Sequence, residues 1–307
     1  MFKSNSAAGV LCGISGAVLF GFSFLFTKQG MDAASPLTLL GWRFIFGLLF
    51  MTLCLPLKIL KVDYKNKPVG KVILLGALQP VLYFVGEIFG IELTTTGEAS
   101  TIIAMIPIFV MILSSAVLKE PPSPLQAAGI VISLAGIFTI IVSKGITASL
   151  SIPGYLLLFT AVAADSFYVI LSRKLAVFTV PEKVYVMTAA GALVFGAAAL
   201  FEHGSAGTLR EFFRLPLQNI DFLITVLYLS LGCTVLAFLL SIHSIALIGA
   251  TRSTSFVPLT TIVSVLAGVV ILDERISFLQ GTGIVLTLAG VFLANKTQKL
   301  IGSEKSV

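Results

Sequence analysis

The chain has 307 residues, of which 57% are apolar and only 11% are charged. A soluble domain has roughly 25% charged residues, so this composition excludes a soluble globular protein, and the high apolar content excludes a disordered one. The net charge of +6 does not indicate nucleic-acid binding, because Lys and Arg also accumulate in the cytoplasmic loops of membrane proteins. The three cysteines lie in apolar segments and predict neither disulfides nor a metal site, and no motif indicates a cofactor.

Hydropathy predicts ten membrane-spanning helices, because each apolar segment is close to the roughly 20 residues that cross the hydrocarbon core. In chain order the segments are 7–28, 36–57, 71–91, 98–118, 125–143, 153–172, 184–201, 221–245, 253–272 and 278–295. The connections between them are too short to fold as separate domains. The expected fold is therefore an all-α polytopic membrane protein.

The basic residues predict the orientation of the chain. Most of the 20 Lys and Arg lie on the side of the membrane that carries both termini, if the ten spans alternate in direction. Because cytoplasmic loops carry the excess of Lys and Arg, both termini are expected in the cytoplasm. Residues 297–307 are then a short cytoplasmic tail.

An internal repeat relates the two halves of the chain. The segment Leu118–Phe138 recurs 154 residues later as Leu272–Phe292, with 12 of 21 positions identical and no gap. The fifth span thus repeats as the tenth, and because five is odd the second copy must be inverted. Inverted repeats, here residues 1–145 and 146–296, are typical of secondary transporters, although an old duplication without alternating access would leave the same signal.

Small residues recur at equivalent places of the fifth and tenth spans. Gly129 and Gly136 are seven residues apart, as are Gly283 and Gly290, so each pair shares one helix face. Small residues let helix backbones approach closely in lipid. The four glycines are therefore predicted to pack helices together.

These motifs resemble the EamA family of the drug/metabolite transporter superfamily over essentially the whole chain. In the first copy the matching segments are Phe20-Gly-Phe-Ser-Phe-Leu-Phe-Thr-Lys28, Pro36, Trp42-Arg43, and Ala99 through Pro107 to Leu118-Lys-Glu120. In the second copy they are Gly249-Ala-Thr-Arg-Ser253 and Leu272-Asp-Glu274. One departure is Thr261, where the family usually has a proline at the spacing of Pro107.

The resemblance implies ten helices in two inverted five-helix repeats around a central cavity, in the inner membrane of a bacterium. It also implies export of amino acids or related metabolites and drugs. We expect alternating access with or without proton coupling, a small-molecule substrate, the lipid bilayer as surroundings, and a monomer or homodimer. At Glu87 the family usually has an uncharged residue, which makes Glu87 the leading candidate for specificity.

Four ionisable residues lie inside the predicted spans: Arg43, Glu87, Asp165 and His243. A charge that faces lipid at the bilayer centre costs about 2.5–3.5 kcal/mol, so we expect these side chains to face the interior or a water-filled cavity, and to pair. Arg43 could clamp a substrate carboxylate or neutralise a buried carboxylate. Glu87 and Asp165 could hold an amino group, carry a proton, or be paired without a role in transport. His243 could titrate near neutral pH or be a packing residue.

Aromatic and helix-end residues complete the candidate site. Trp42, Tyr83 and Tyr168 fall on spans expected to line the cavity and could stack on a ring or cover a cation, although core packing also explains aromatic residues in so apolar a chain. The candidate gate or helix-end contacts are Lys28, Glu120 and Glu274.

Other functions stay open from the sequence. A facilitative uniporter or channel-like permease has the same sequence features as a proton-coupled exporter. Gly13-Ile-Ser-Gly16 fits the GxSG of rhomboid-type serine proteases, with His243 as a base, but this motif is short and the repeat does not suit that class. The sequence has no Walker loop, which excludes ATP-driven transport by this chain. It also has no HExxH, the zinc-binding motif of metalloproteases.

Overall fold

The computed structural model describes residues 2–94, 102–143, 151–272 and 277–296, and all the regular secondary structure in these ranges is helical. The helices are α1 Phe2–Met31, α2 Pro36–Cys54, α3 Val69–Leu93, α4 Ile106–Leu118, α5 Pro124–Ser143, α6 Ile152–Lys174, α7 Val180–Ser205, α8 Leu209–Gln218, α9 Ile220–Ile248, α10 Ala250–Thr254, α11 Pro258–Leu272 and α12 Phe278–Lys296. The all-α prediction is confirmed for these ranges.

Eight of these helices are long and apolar enough to cross a membrane. They are α1, α2, α3, α5, α6, α7, α9 and α12. α4 is a shorter apolar helix, and the predicted ninth span contains α11 and the end of α10. Each predicted span thus contains a helix, and the polytopic architecture is confirmed. α8, which hydropathy did not predict, lies between the seventh and eighth spans.

Several helices depart from regular α geometry. π-helical turns occupy Ala77–Leu82 within α3 and Tyr228–Ala237 within α9. Pro80 accounts for the first, because proline has no backbone N–H and disrupts the hydrogen-bond ladder. α4 carries Pro107 in its first turn, and α11 begins at Pro258. These two prolines start helices, which is the helix position that tolerates proline best.

Helix packing follows the internal repeat. α5 packs on α12 and α2 packs on α7, so each of these helices contacts its counterpart from the other half. The other main contacts occur in matching pairs. The contact of α1 with α9 in one set corresponds to the contact of α6 with α3 in the other. In the same way, the contact of α1 with α11 corresponds to that of α6 with α4. The two halves therefore contribute the same set of helix pairs.

α5 and α12 approach each other through their glycines. A Cβ atom added to Gly283 would lie 2.7 Å from the carbonyl oxygen of Gly136, and one added to Gly136 would lie 2.6 Å from that of Gly283. The same reciprocal approach joins Gly129 and Gly290, at 2.7 and 2.6 Å. Ser133 and Thr287 are buried between these two glycine pairs. This contact, the α5–α12 seam, leaves no room for a side chain at any of the four glycines.

The seam gives a first testable prediction. Gly290→Ala would place a methyl group against the backbone of α5, and overpacking of this kind costs about 1–3 kcal/mol. We expect a lower melting temperature for the detergent-purified variant. The matched control is Gly281→Ala on the same helix, where an added Cβ meets nothing within 4 Å. Alanine is about 1 kcal/mol better than glycine in a helix, so the control should melt at the same or a higher temperature. Equal melting of the two variants would contradict close packing at the seam.

Candidate functional site

Arg43 of α2 is held against α9 and α3. Its side chain is only 5% exposed. Its Nε donates a hydrogen bond to Oγ1 of Thr234, in the π-helical part of α9, at 2.8 Å. The guanidinium carbon lies 5.0 Å from the centre of the Phe84 ring, an arrangement in which the aromatic face attracts the cation. Within the described part of the chain the terminal Nη atoms make no hydrogen bond and no carboxylate forms an ion pair with Arg43. These donors are therefore free to bind a ligand.

Glu87 lies near this arginine, and Asp165 lies near Glu87. The Tyr83 hydroxyl donates a hydrogen bond to Glu87 Oε1 at 2.9 Å, one helical turn along α3. The charge of Glu87 interacts through space with that of Arg43 and with that of Asp165 on α6. Both carboxylates are only partly exposed. The fold thus brings the ionisable residues of α2, α3 and α6 into one electrostatic group, which we call the Arg43–Glu87–Asp165 group.

Two aromatic candidates have buried polar atoms without a partner. Tyr168 is buried on α6 within range of the Asp165 charge, and its hydroxyl has no hydrogen-bond partner among the described residues. The indole Nε1 of Trp42 has none among them either. The indole ring stacks on Phe46 and Phe212, with centroids 5.2 and 4.9 Å away. An unsatisfied buried polar atom costs about 1–3 kcal/mol, so both atoms mark places where a water or ligand would be stabilised.

Two polar residues near the group were not identified from the sequence. Gln79 lies one turn before Tyr83 on α3 and is buried, and no described residue forms a hydrogen bond with its Oε1. Thr234 binds Arg43 from α9. The signal for Gln79 was available, since it is an amide beside a proline in an apolar span. Thr234 gave none, because threonine is common in membrane helices and often bonds to its own backbone.

His243 does not lie with the other candidates. It is on the exposed face of α9 together with Leu236, whereas Phe238, Ile242 and Ile245 of the same helix are buried. The prediction that His243 faces the interior is wrong. It is only five residues, about 8 Å, from the end of α9, and a polar ring near a helix end can reach toward water.

A second polar cluster joins the ends of three helices. Arg173, at the end of α6, forms a 3.5 Å ion pair with Glu120 and donates a 2.7 Å hydrogen bond to the carbonyl of Ala246 in α9. The cluster borders a cavity of about 290 Å³ where α4 and α6 meet the α9–α10 connection. At that connection Gly249 has φ of +86°, a left-handed conformation that favours glycine. Glu120 therefore lies at a helix end, as predicted, with Arg173 as its partner.

The other predicted gate residues are described less fully. Lys28 lies in α1, and only its backbone is described. Glu274 lies outside the described residues. In the ranges that the structure covers, no three His, Cys, Asp or Glu side chains come together as a metal site would require.

A buried carboxylate, also not singled out from the sequence, ties the connection before α3 to the start of α7. Glu182 is 2% exposed and accepts hydrogen bonds from Lys67 Nζ at 2.6 and 2.7 Å and from the backbone N–H groups of Asp63 and Thr179 at 3.1 and 2.9 Å. The Tyr64 hydroxyl donates to the Glu182 carbonyl at 2.8 Å. Burial and the nearby Glu182 charge raise the pKa of Tyr64 above its ordinary value.

This arrangement gives a second prediction. Glu182→Gln removes the charge that accepts four hydrogen bonds from three donor groups, and hydrogen bonds to charged groups contribute about 1.5–3 kcal/mol each. We expect the melting temperature of the detergent-purified protein to fall by several degrees. Glu120→Gln is the matched control, because it breaks the more exposed 3.5 Å pair with Arg173 and exposed pairs contribute about 0–1 kcal/mol. A Glu182 variant as stable as the control would show that this anchor is dispensable.

Comparison with known proteins identifies the family. The sequence model of the EamA-like transporter family matches residues 7–142 and 152–296. The chain belongs to the EamA-like transporter family. The uncharacterized transporter YcxC of Bacillus subtilis is 33% identical over 297 residues, which are 96% of this chain and 95% of that protein. A probable amino-acid metabolite efflux pump of Escherichia coli is 24% identical over 288 residues, 90% of this chain and 91% of the pump.

A solved structure supports the fold of this EamA-like transporter. One crystal structure superposes with a TM-score of 0.76 and covers 98% of this chain and 99% of its own chain, at 17% identity. At that identity the likeness concerns the fold alone. The multi-pass membrane character rests on the eight long apolar helices and on the family match.

The protease alternative finds no support in this EamA-like transporter. Within the described residues no hydrogen bond joins Ser15 to His243, which faces outward. Gly13 and Gly16 have another role, since Cβ atoms added there would meet Phe256 and Ser244, and Ala237. The GxSG segment thus packs α1 against its neighbours, and the relatives are named as transporters.

Proposed function

We propose that this protein is a secondary transporter that exports amino acids or related small metabolites by alternating access. The observation that carries the proposal is the Arg43–Glu87–Asp165 group, one cation with free donors beside two carboxylates within a bundle of apolar helices. An amino acid carries the complementary charges. Its carboxylate would bind the Nη donors of Arg43, and its ammonium would bind Glu87 or Asp165. The name of the Escherichia coli relative supports the same substrate class.

We also infer that ten helices cross the membrane as two inverted repeats, residues 1–145 and 146–296. Three features support this. The sequence repeats, the helix contacts occur in matching pairs, and π-helical turns occur in the corresponding helices α3 and α9. With ten crossings both termini lie on one side, and the basic connection at Lys58–Lys71 favours the cytoplasm. The expected cellular location of the protein is then the inner membrane of a bacterium.

Alternating access requires contacts that open and close at the two ends of the bundle. The Arg173–Glu120 pair joins the ends of α4, α6 and α9, which the proposed topology places on the cytoplasmic side. At 3.5 Å and with both side chains partly exposed, it can separate at small cost. The sequence repeat relates Glu120 to Glu274, so Lys28 and Glu274 are the proposed contacts at the opposite end.

The same group suggests how transport is coupled. With Arg43 and both carboxylates charged, its net charge is −1, and a buried net charge is unfavourable in a membrane. One proton on Glu87 or Asp165 would make the empty site neutral, and the ammonium of a substrate would need the same carboxylate in its charged form. Proton and substrate would therefore compete for the site, which is the requirement for antiport. The alternative is a facilitative uniporter, in which both carboxylates stay charged throughout.

Transport in proteoliposomes tests the proposal and gives a third prediction. Vesicles that contain the purified protein are loaded with a panel of radiolabelled amino acids, and efflux is measured with and without an imposed pH gradient. We expect saturable efflux for at least one amino acid, accelerated when the external side is acidic. Saturable efflux that ignores the gradient would support the uniporter and contradict antiport. No efflux of any amino acid, with folded protein in the vesicles, would contradict the substrate class.

A further inference from the structure

The helix α8 is unlike the others, because it is short and too polar for a span. It connects the end of α7 to the start of α9. Gly207, with φ of +70°, follows the end of α7, and Asn219 caps α9 by accepting a 3.0 Å hydrogen bond from the Phe222 N–H. α7 thus ends at a helix stop signal just before α8, and α9 begins at a helix start signal just after it. α8 must therefore lie where α7 leaves the membrane and α9 enters it.

One side of α8 packs on the protein. Phe212 is fully buried and Pro216, one turn later, is also buried. The Phe212 ring stacks on Trp42 at 4.9 Å and lies 5.3 Å from the ring of His203. His203 is itself bonded to Thr38 and Thr208 at 2.9 and 2.7 Å. This contact fixes the rotation of α8 about its own axis.

With that rotation fixed, a second side of α8 presents apolar side chains outward. Leu209, Phe213 and Leu217 follow one another at intervals of four residues and are 41%, 56% and 85% exposed. At 3.6 residues per turn their common direction is about 80° from that of Phe212 and Pro216. A strip of three large apolar side chains on a ten-residue helix is costly in water, at about 25 cal/mol per Å² of apolar surface.

A third side carries two arginines. Arg210 and Arg214 are exposed, and in the ranges that the structure covers neither forms an ion pair. Their common direction is about 80° beyond the apolar strip, on the side away from the protein. Polar Glu211 and Gln218 are exposed beyond them. Around the helix the order is therefore protein, apolar strip, arginines, polar residues.

This order matches the surroundings of a helix that lies flat at a membrane surface beside a bundle. The bundle is at one side, acyl chains are below, phosphates are level with the helix on the other side, and water is above. We propose that α8 binds glycerophospholipid, with Leu209, Phe213 and Leu217 inserted into the acyl region and Arg210 and Arg214 bound to lipid phosphates. Interfacial helices of this kind insert their apolar face about 5–10 Å, and guanidinium forks bind phosphate oxygens in pairs.

A second copy of the chain is the competing occupant of the apolar strip. The arginines favour lipid, because two positive charges beside the strip complement phosphates and would meet two like charges in a symmetric dimer. The strip is also much smaller than the roughly 800 Å² per partner of a standard interface. Binding to lipid at α8 does not depend on the proposed substrate or on transport.

The single tryptophan of the chain makes a direct test available. In a W42F background, which is otherwise free of tryptophan, F213W and L217W place an indole on the strip, and E211W places one on the polar side as the matched control. Each full-length variant is reconstituted in phosphatidylcholine vesicles with or without lipids brominated near the glycerol end of the acyl chain. We expect F213W and L217W to emit at shorter wavelength than E211W and to be quenched by these lipids much more strongly.

Equal quenching at the strip and at the control position would overturn the proposal. The proposal would also be overturned if brominated lipid failed to quench the strip positions and the protein sedimented as a dimer. That result would assign the strip to a second copy of the chain. Having two strip positions protects the test against one variant that fails to fold.

The arginines are tested separately by adding phosphatidylglycerol to the detergent-purified protein with its natural Trp42. We expect the lipid to raise the melting temperature, R210Q/R214Q to lose most of that rise, and R210K/R214K to keep it. A full rise in R210Q/R214Q would overturn the phosphate contact.

Discussion

Arg43→Lys is expected to lower transport about 10- to 100-fold while leaving the protein folded. Lysine keeps the positive charge beside Glu87 and Asp165, so the electrostatic balance of the group is preserved. It loses the planar fork, and its single ammonium cannot bond Thr234 and a carboxylate in the geometry that Arg43 provides. A charge-assisted hydrogen bond contributes about 1.5–3 kcal/mol, which corresponds to that range of affinity.

The measurement for Arg43→Lys is efflux from proteoliposomes over a range of substrate concentrations. The loss should appear mainly as a higher KM, because the arginine binds the ground state of the substrate. Arg214→Lys on the exposed side of α8 is the matched control and should transport normally. If Arg43→Lys keeps the natural KM, the arginine only joins α2 to α9 and does not touch substrate.

Glu87→Gln is expected to abolish the response of transport to a pH gradient. The amide keeps the size of the side chain and can still accept the hydrogen bond from Tyr83, but it cannot bind or release a proton. Substrate exchange without net coupling should persist at a reduced rate if Asp165 holds the ammonium, and should disappear if Glu87 does. Asp165→Asn distinguishes these cases. Substrate exchange should disappear in Asp165→Asn if Asp165 holds the ammonium, and in Glu87→Gln if Glu87 holds it.

The control for these carboxylate variants is Glu92→Gln. Glu92 is on the same helix as Glu87 but is exposed near its end, so its replacement should leave both rate and pH response unchanged. Unaltered coupling in Glu87→Gln and Asp165→Asn alike would contradict the antiport mechanism and leave the uniporter.

More of the fold than of the candidate site could be predicted from the sequence. Long apolar segments leave the chain few alternatives to helices, and each predicted span contains one. The repeat also indicated which helices correspond, which the paired contacts match. α8 was missed because its five large apolar residues are interspersed with Arg210, Glu211 and Arg214, so that its mean hydropathy is unremarkable although its faces differ.

The site was predictable residue by residue but not as an arrangement. The cost of charge in lipid singled out Arg43, Glu87 and Asp165 as candidates. It did not specify that Thr234, rather than a carboxylate, would bind Arg43, because that contact depends on the π-helical turn of α9. The same argument failed for His243, since a polar ring near a helix end can face outward and reach toward water.

The α5–α12 seam has a consequence for the order in which the molecule opens. Its contact is formed by backbone against backbone, with buried Ser133 and Thr287 between the glycines, so water has no route to its amides. The π-helical turns of α3 and α9 have irregular hydrogen bonding instead. Amide hydrogens should therefore exchange with deuterium slowest along the seam and fastest at these turns. Such a gradient would mean that the last helices of the two halves stay together as one body while α3 and α9 bend.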